Sequence, residues 1–256
     1  MGGNLYRIYQ QNKRDGPLSC LVCQAEDGWK GVKNMIVGTQ KPMEEIWEMI
    51  KSYKKVLVFG CNTCVAVCHQ GGNKEAEIMA SMLNMHAVQE GVEIEIQHSG
   101  IERQCEHEFF DSAEDIIAGA DAVLSTACGI GVQFMAEKYA ETPLFPGLNT
   151  TFLGAVDEHG VFSEKCQACG QCVLGETGGI CPVSRCAKRI LNGPCGGSTN
   201  GKCELSKDLD CAWQLIIERL TALGRMDDYE KLAELKDWSF DRAGGPRKFI
   251  REDIQV

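Results

Sequence analysis

Eight of this chain's fifteen cysteines lie between Cys166 and Cys211, and that run limits what the C-terminal part of the chain can fold into. It opens Cys166-Gln-Ala-Cys169-Gly-Gln-Cys172 and continues through Cys181-Pro182, Cys186, Cys195, Cys203 and Cys211. Three thiols spaced two residues apart can hold three corners of one four-iron cluster from a single turn of backbone. A later cysteine followed by proline supplies the fourth corner, either to that cluster or to a neighbouring one. A zinc site normally draws two thiols from each of two knuckles, so the third cysteine favours iron–sulfur, with zinc as the alternative. The gap to Cys181 exceeds the ferredoxin spacing, so this is not a ferredoxin insert copied whole. Eight glycines between Gly170 and Gly201 fit the same reading. They let backbone approach a bulky group and leave N–H groups free to point at sulfur. A linker would share the glycines but not the thiols.

Composition narrows the compartment. With 256 residues, 44% of them hydrophobic, the chain can build one large domain or two small ones. Its start lacks the apolar core of a secretory signal, and no apolar run approaches membrane-spanning length. The expectation is a cytoplasmic protein without membrane insertion, its thiols reduced and ligating metal rather than joined as disulfides. The net charge of -10 argues against a nucleic-acid partner.

Four parts are expected: an N-terminal extension (1–34) with an isolated Cys20/Cys23 pair, an α/β domain (35–150), a Cys-rich region (151–206), and C-terminal helices with a tail (207–256). The second part alternates between strand and helix patterns. A helix through Ile46, Trp47 and Ile50 follows Pro42, and Val56–Phe59 is a buried strand stopped by Gly60. A helix over 73–88 carries Ile78, Met79, Met82, Leu83 and Met85, read as core. Strand 92–96 follows, then a helix capped by Asp111, strand 122–124 and a helix over 132–139. This alternation predicts a small parallel sheet of Rossmann or flavodoxin type, covered on both faces. Further on, Ser184–Leu191 reads as a short cationic helix. A helix over 210–223 is expected to carry Cys211 in its first turn and to end at Gly224. Trp238 and Phe240 lie in an irregular tail that docks on this domain or on a partner chain.

Loops that follow parallel strands gather along one edge of the sheet, where ligands bind. Cys61, Cys64 and Cys68 follow the first strand, Cys105 the second and Cys128 the third, so all five thiols face one crevice. The triplet lacks one donor, which Cys105 or Cys128 would supply. Buried, inert thiols are the alternative there. Gly129-Ile-Gly131 is half a dinucleotide fingerprint, Gly71-Gly72-Asn73-Lys74 is a turn, and His69 is a loop histidine facing solvent. No catalytic acid/base constellation is found.

Several longer stretches carry a resemblance. They are Gly60-Cys61-Asn-Thr-Cys64, Ile101-Glu-Arg-Gln-Cys105, Ala127-Cys128-Gly129-Ile-Gly131, Pro146-Gly-Leu-Asn-Thr-Thr-Phe-Leu-Gly154, Cys166 through Pro182, and Leu191-Asn-Gly-Pro-Cys195-Gly-Gly. Over about 35–256 the chain resembles the MetV family, the small subunit of anaerobic methylenetetrahydrofolate reductases in one-carbon metabolism of Wood–Ljungdahl type. The resemblance implies two or three 4Fe-4S clusters, with zinc also associated, and an electron-transfer role beside a MetF-type flavin subunit. That partner, a TIM barrel, carries FMN and the folate site, and electrons come from ferredoxin or another protein donor. By motif the implied metal positions are Cys61, Cys64, Cys105, Cys128, Cys166, Cys169, Cys172, Cys181 and Cys195; Cys68, Cys186, Cys203 and Cys211 are added on spacing. Two other readings remain open: a structural zinc module that docks the flavin subunit, and an accessory of corrinoid or methyl-transfer chemistry.

Overall fold

Val56-Leu57-Val58-Phe59 presents apolar side chains to both sides of its strand, which suits a parallel sheet with helices on each face. In a computed structural model, residues 35–158, 160–231, 234–242, 245–248, 250 and 253 are described. The extension 1–34, with Cys20 and Cys23, lies outside the described residues. Strand β1 (Met35–Gln40) leads into α1 (Met43–Ile50) and β2 (Lys55–Cys61). A short α2 (Cys64–Val67), the long α3 (Asn73–Glu90) and β3 (Glu95–Ile101) follow. Beyond a 3-10 turn at His107–Phe110 come α4 (Glu114–Ala118), β4 (Ala122–Ser125), α5 (Gly129–Lys138) and β5 (Leu144–Pro146).

β2, β3, β4 and β5 form the expected parallel sheet, in the order β3-β2-β4-β5. Val56 and Val58 face α1 and α3, packing with Ile46, Ile50, Met79 and Leu83. Leu57 and Phe59 point the other way, onto Phe110, Ile117 and Met135. Burying each such side chain is worth about 1.5–3 kcal/mol, and both faces contribute.

A second sheet crosses the expected boundary at residue 150. β6 (Leu148–Glu158) pairs antiparallel with β1 on one side and with β7 (Val161–Cys166) on the other. Its residues Leu148 and Phe152 pack with Val37, Val65, Cys61 and Cys128. The antiparallel sheet therefore covers the carboxyl edge of the parallel one. Downstream, α6 (Pro182–Arg185), α7 (Ala212–Ala222) and α8 (Met226–Glu230) surround a small core of Cys211, Trp213, Ile216 and Leu220. Among the described residues no helix is long and apolar enough to cross a membrane.

Several local expectations differ from the structure. β2 runs through Gly60, because Gly60 and Gly100 pair across the sheet and Asn73 fills the space above them. A Cβ at Gly100 would sit 1.9 Å from Asn73 Oδ1. β3 begins at Glu95 rather than Val92, since its first backbone bond, Glu95 N–H to Lys54 O at 2.8 Å, is set by β2. Asp111 does not start the next helix but closes the 3-10 turn; α4 starts three residues later, with Ala113 at its N-cap. On α3, Met79 and Leu83 are buried, but Ile78, Met82, Met85 and Val88 are exposed. The helix meets the sheet through Ala76, Ala80 and Ala87, whose small side chains allow close approach. The cationic helix begins at Pro182 and stops at Arg185; Arg189, at φ 54°, lies in the left-handed region and cannot extend it.

Gly71 sits where these parts meet. Its carbonyl accepts from Cys61 N–H at 2.9 Å and from Thr126 Oγ1 at 2.8 Å, and a Cβ there would lie 1.9 Å from Thr126 O. Gly71→Ala is expected to cost about 1–3 kcal/mol in urea unfolding, as overpacking against backbone does. Gly175→Ala, which meets nothing within 4 Å, should stay within about 0.5 kcal/mol of the parent.

Candidate metal centres

Each thiol-bearing loop at the sheet edge starts where a strand ends. Cys61 closes β2, Cys64 opens α2 and Cys68 caps it. Cys105 lies beyond the end of β3, and Cys128 is the N-cap of α5. Burial pushes the Cys128 thiol up; the N–H groups of Gly131 and Ile130 oppose this, while neighbouring Cys61 and Cys64 add to it. Burial likewise raises Cys105, followed by the effect of Cys61 and then of Cys128. Cys61 acts on both Cys105 and Cys128, Cys64 on Cys128 and Cys128 on Cys105, so these four thiols lie near one another at the edge. Cys68 stands apart. It is buried, donates to Val65 O at 3.4 Å and is raised mainly by burial, with Cys64 the one thiol acting on it. His69 is exposed.

A buried polar seam underlies this edge, and no periodicity in the sequence points to it. Gln104, with no solvent exposure, donates through Nε2 to Phe59 O at 2.9 Å and Gly60 O at 3.0 Å. Its Oε1 accepts from Ser125 Oγ at 2.7 Å, and Ser125 Oγ accepts from Ala127 N–H at 3.2 Å. Thr126 Oγ1 bonds Phe59 O at 3.1 Å. The signal available was a glutamine directly preceding a cysteine in an otherwise charged loop, which composition alone cannot distinguish from a surface residue.

Cys166, Cys169, Cys172 and Cys181 lie on the stretch that joins β7 to α6. Cys166 ends β7, and Cys181 is the N-cap of α6. Ser184 Oγ donates to Lys165 O at 2.8 Å, tying α6 to the end of that strand. Within the loop, Ala168 N–H points at Cys166 Sγ at 3.3 Å, and Gly170 takes φ 85°. The tail docks here, on this same chain. Lys236 Nζ donates to Gln171 O and, at 3.4 Å, to Cys169 O; Arg247 reaches Ala168 O at 3.2 Å. A Cβ on Gly170 would lie 2.2 Å from Phe240 Cβ, so the tail leaves room only for glycine.

Cys186, Cys195, Cys203 and Cys211 line one cavity with Lys188 and Glu204. A bridge between Lys202 and Asp210 sets Cys203 and Cys211 on adjacent strands of backbone, reinforced by Cys211 N–H to Gly201 O at 2.8 Å. Trp213 Nε1 donates to Ile190 O at 2.8 Å and closes the floor. Cys195 Sγ donates to Glu204 Oε2 at 3.6 Å, and Lys188 pairs with the same carboxylate and holds it below its ordinary range.

All thirteen of these thiols are free. Among the described residues, no three His, Cys, Asp or Glu side chains converge tightly enough for a single metal ion. A tetrahedral zinc with Zn–S near 2.3 Å needs its thiols about 3.8 Å apart. A four-iron cluster keeps them wider, because its inorganic core lies between them. Sets made of thiols alone also suit soft metal centres.

Residues 145–239 match the family model described as methylene-tetrahydrofolate reductase C terminal. The match runs from β5 through α8 into the tail and relates this stretch of the chain to methylenetetrahydrofolate reductases. It includes the eight cysteines from Cys166 to Cys211 and excludes those of the sheet edge. No curated protein and no solved structure matches the chain.

Exposure orders the thiols by reactivity. In metal-free chain at neutral pH, mass-spectrometric mapping of alkylation should find Cys166, Cys172 and Cys195, all exposed, labelled first. Cys68 and Cys128, buried and raised, should be labelled last.

Proposed function

We propose that this chain is the electron-transfer subunit of a methylenetetrahydrofolate reductase complex, holding two or three 4Fe-4S clusters. What supports the reading is that the loops bearing Cys61, Cys64, Cys105 and Cys128 gather at one sheet edge and that Cys186, Cys195, Cys203 and Cys211 line one cavity. The family match over 145–239 supports the choice of complex. Clusters bound at these groups would supply one-electron transfer at low potential.

The chain's own part is to orient and shield. The N–H groups of Ile130 and Gly131 aim at the Cys128 sulfur, and that of Ala168 aims at Cys166. Such donors stabilise thiolate and tune a bound centre. Phe152 and Leu148 keep water from the sheet-edge thiols, whereas the Cys166–Cys172 loop stays open on one side for a protein partner. Reducing methylene- to methyl-tetrahydrofolate consumes two electrons and two protons. That chemistry belongs to a MetF-type partner carrying FMN, with ferredoxin or another low-potential protein in the cytoplasm as donor.

Anaerobic purification of the full chain with iron, sulfide and zinc analysis tests this. About 8–12 irons per chain are expected, four for each cluster. Replacing Cys166, Cys169 and Cys172 together by serine should remove about four of them. Near-zero iron with stoichiometric zinc would replace electron transfer by a structural zinc module.

A further inference from the structure

Cys61, Cys105 and Cys128 leave the parallel sheet on three separate loops, and a single buried side chain touches all three exits. Gln104 bonds Phe59 O and Gly60 O directly before Cys61, precedes Cys105 itself, and through Ser125 Oγ reaches Ala127 N–H directly before Cys128. Both bonds from Nε2 and the bond to Oε1 are made inside protein, with no solvent exposure. Gln104 is also packed from above by α5: a Cβ at Gly131 would lie 3.0 Å from its Cβ. A side chain satisfied on three elements has one acceptable position, because shifting any loop would leave a buried polar group unpaired. We propose that Gln104 is a positioning residue that fixes the mutual placement of the Cys61, Cys105 and Cys128 thiols. It touches no metal or substrate and acts through the loops it joins.

The iron readout rests on the cluster reading above; a second readout does not. Gln104→Leu keeps volume and removes every bond, Ser125→Ala cuts only the link to the Cys128 loop, and Asn84→Ala is the matched control. Asn84 Nδ2 donates to Ile96 O at 2.8 Å at the far end of β3, so its loss is a purely structural one. Full-length chains are purified anaerobically for iron counting. Separately, metal-free chains are treated with a short thiol-bridging reagent and mapped by mass spectrometry. In Gln104→Leu and Ser125→Ala, iron should fall by about four per chain, one cluster's worth. Bridging of Cys128 to Cys61 or Cys105 should fall about tenfold in both variants, as expected for one unmade buried hydrogen bond, and that of Cys105 to Cys61 should fall in Gln104→Leu alone. Bridging among Cys166, Cys169 and Cys172 should not change, and Asn84→Ala should match wild type in both assays. If Gln104→Leu does not fold, Ser125→Ala decides through the Cys128 bridges. If wild type holds no iron, the cluster reading fails while the bridging yields still judge Gln104. Wild-type bridging in folded Gln104→Leu and Ser125→Ala would overturn the proposal.

Discussion

Phe59 pairs with Ser99 on one side and Ser125 on the other, so β2, β3 and β4 approach the carboxyl edge of the sheet at one level. That register brings sulfur together from residues as far apart as Cys61 and Cys128. Parallel strands give it at a cost, because each crossover must be closed before any pairing is gained. The cost is met by apolar burial on both faces and by backbone carbonyls that find side-chain donors where the ladder ends. Phe59 O, for example, accepts from Thr126 N–H and Oγ1 and from Gln104 Nε2. An unpaired group at this depth would cost about 1–3 kcal/mol.

The strand-helix alternation was legible because β2 and β4 are short apolar runs and α1, α3 and α5 start at a proline or glycine. That the loops bearing Cys61, Cys64, Cys68, Cys105 and Cys128 share one edge of the sheet follows from topology alone. The antiparallel sheet was not legible: Met35 pairs with Gly154, and nothing local in either stretch announces so distant a partner. The buried face of α3 was misread because the helix is apolar on both sides. Its sheet side uses alanines, which carry little hydrophobic signal, while Met82 and Met85 face outward. Gln104 escaped notice for a related reason. A polar residue is read as exposed unless its partners are known, and these are backbone carbonyls dozens of residues away.

The two halves hold their thiols by different means. At the sheet edge the loops are pinned by a core on one side and by β1 and β6 on the other, so placement comes from packing. Among Cys166, Cys169, Cys172 and Cys181 there is little core, and placement comes from backbone: left-handed Ala168 and Gly170, and carbonyls clamped by Lys236 and Arg247 of the tail. The cations that seat the tail hold the backbone of the Cys166–Cys172 loop, in a chain of net charge -10.

This difference bears on how each part becomes stable. The parallel sheet encloses a continuous core and folds on apolar burial. The Cys-rich part is centred on a cluster of four buried residues, Cys211, Trp213, Ile216 and Leu220, around which long glycine-rich loops must be ordered. Ordering a residue costs about 1–2 kcal/mol of backbone entropy, more than so small a core returns over such a length. Thiol-bound metal is a common source of the missing free energy, since ligation then counts as folding. On the proposed reading the metal is structural and redox-active at once in this region. In the sheet-edge group it occupies a site that packing has already shaped.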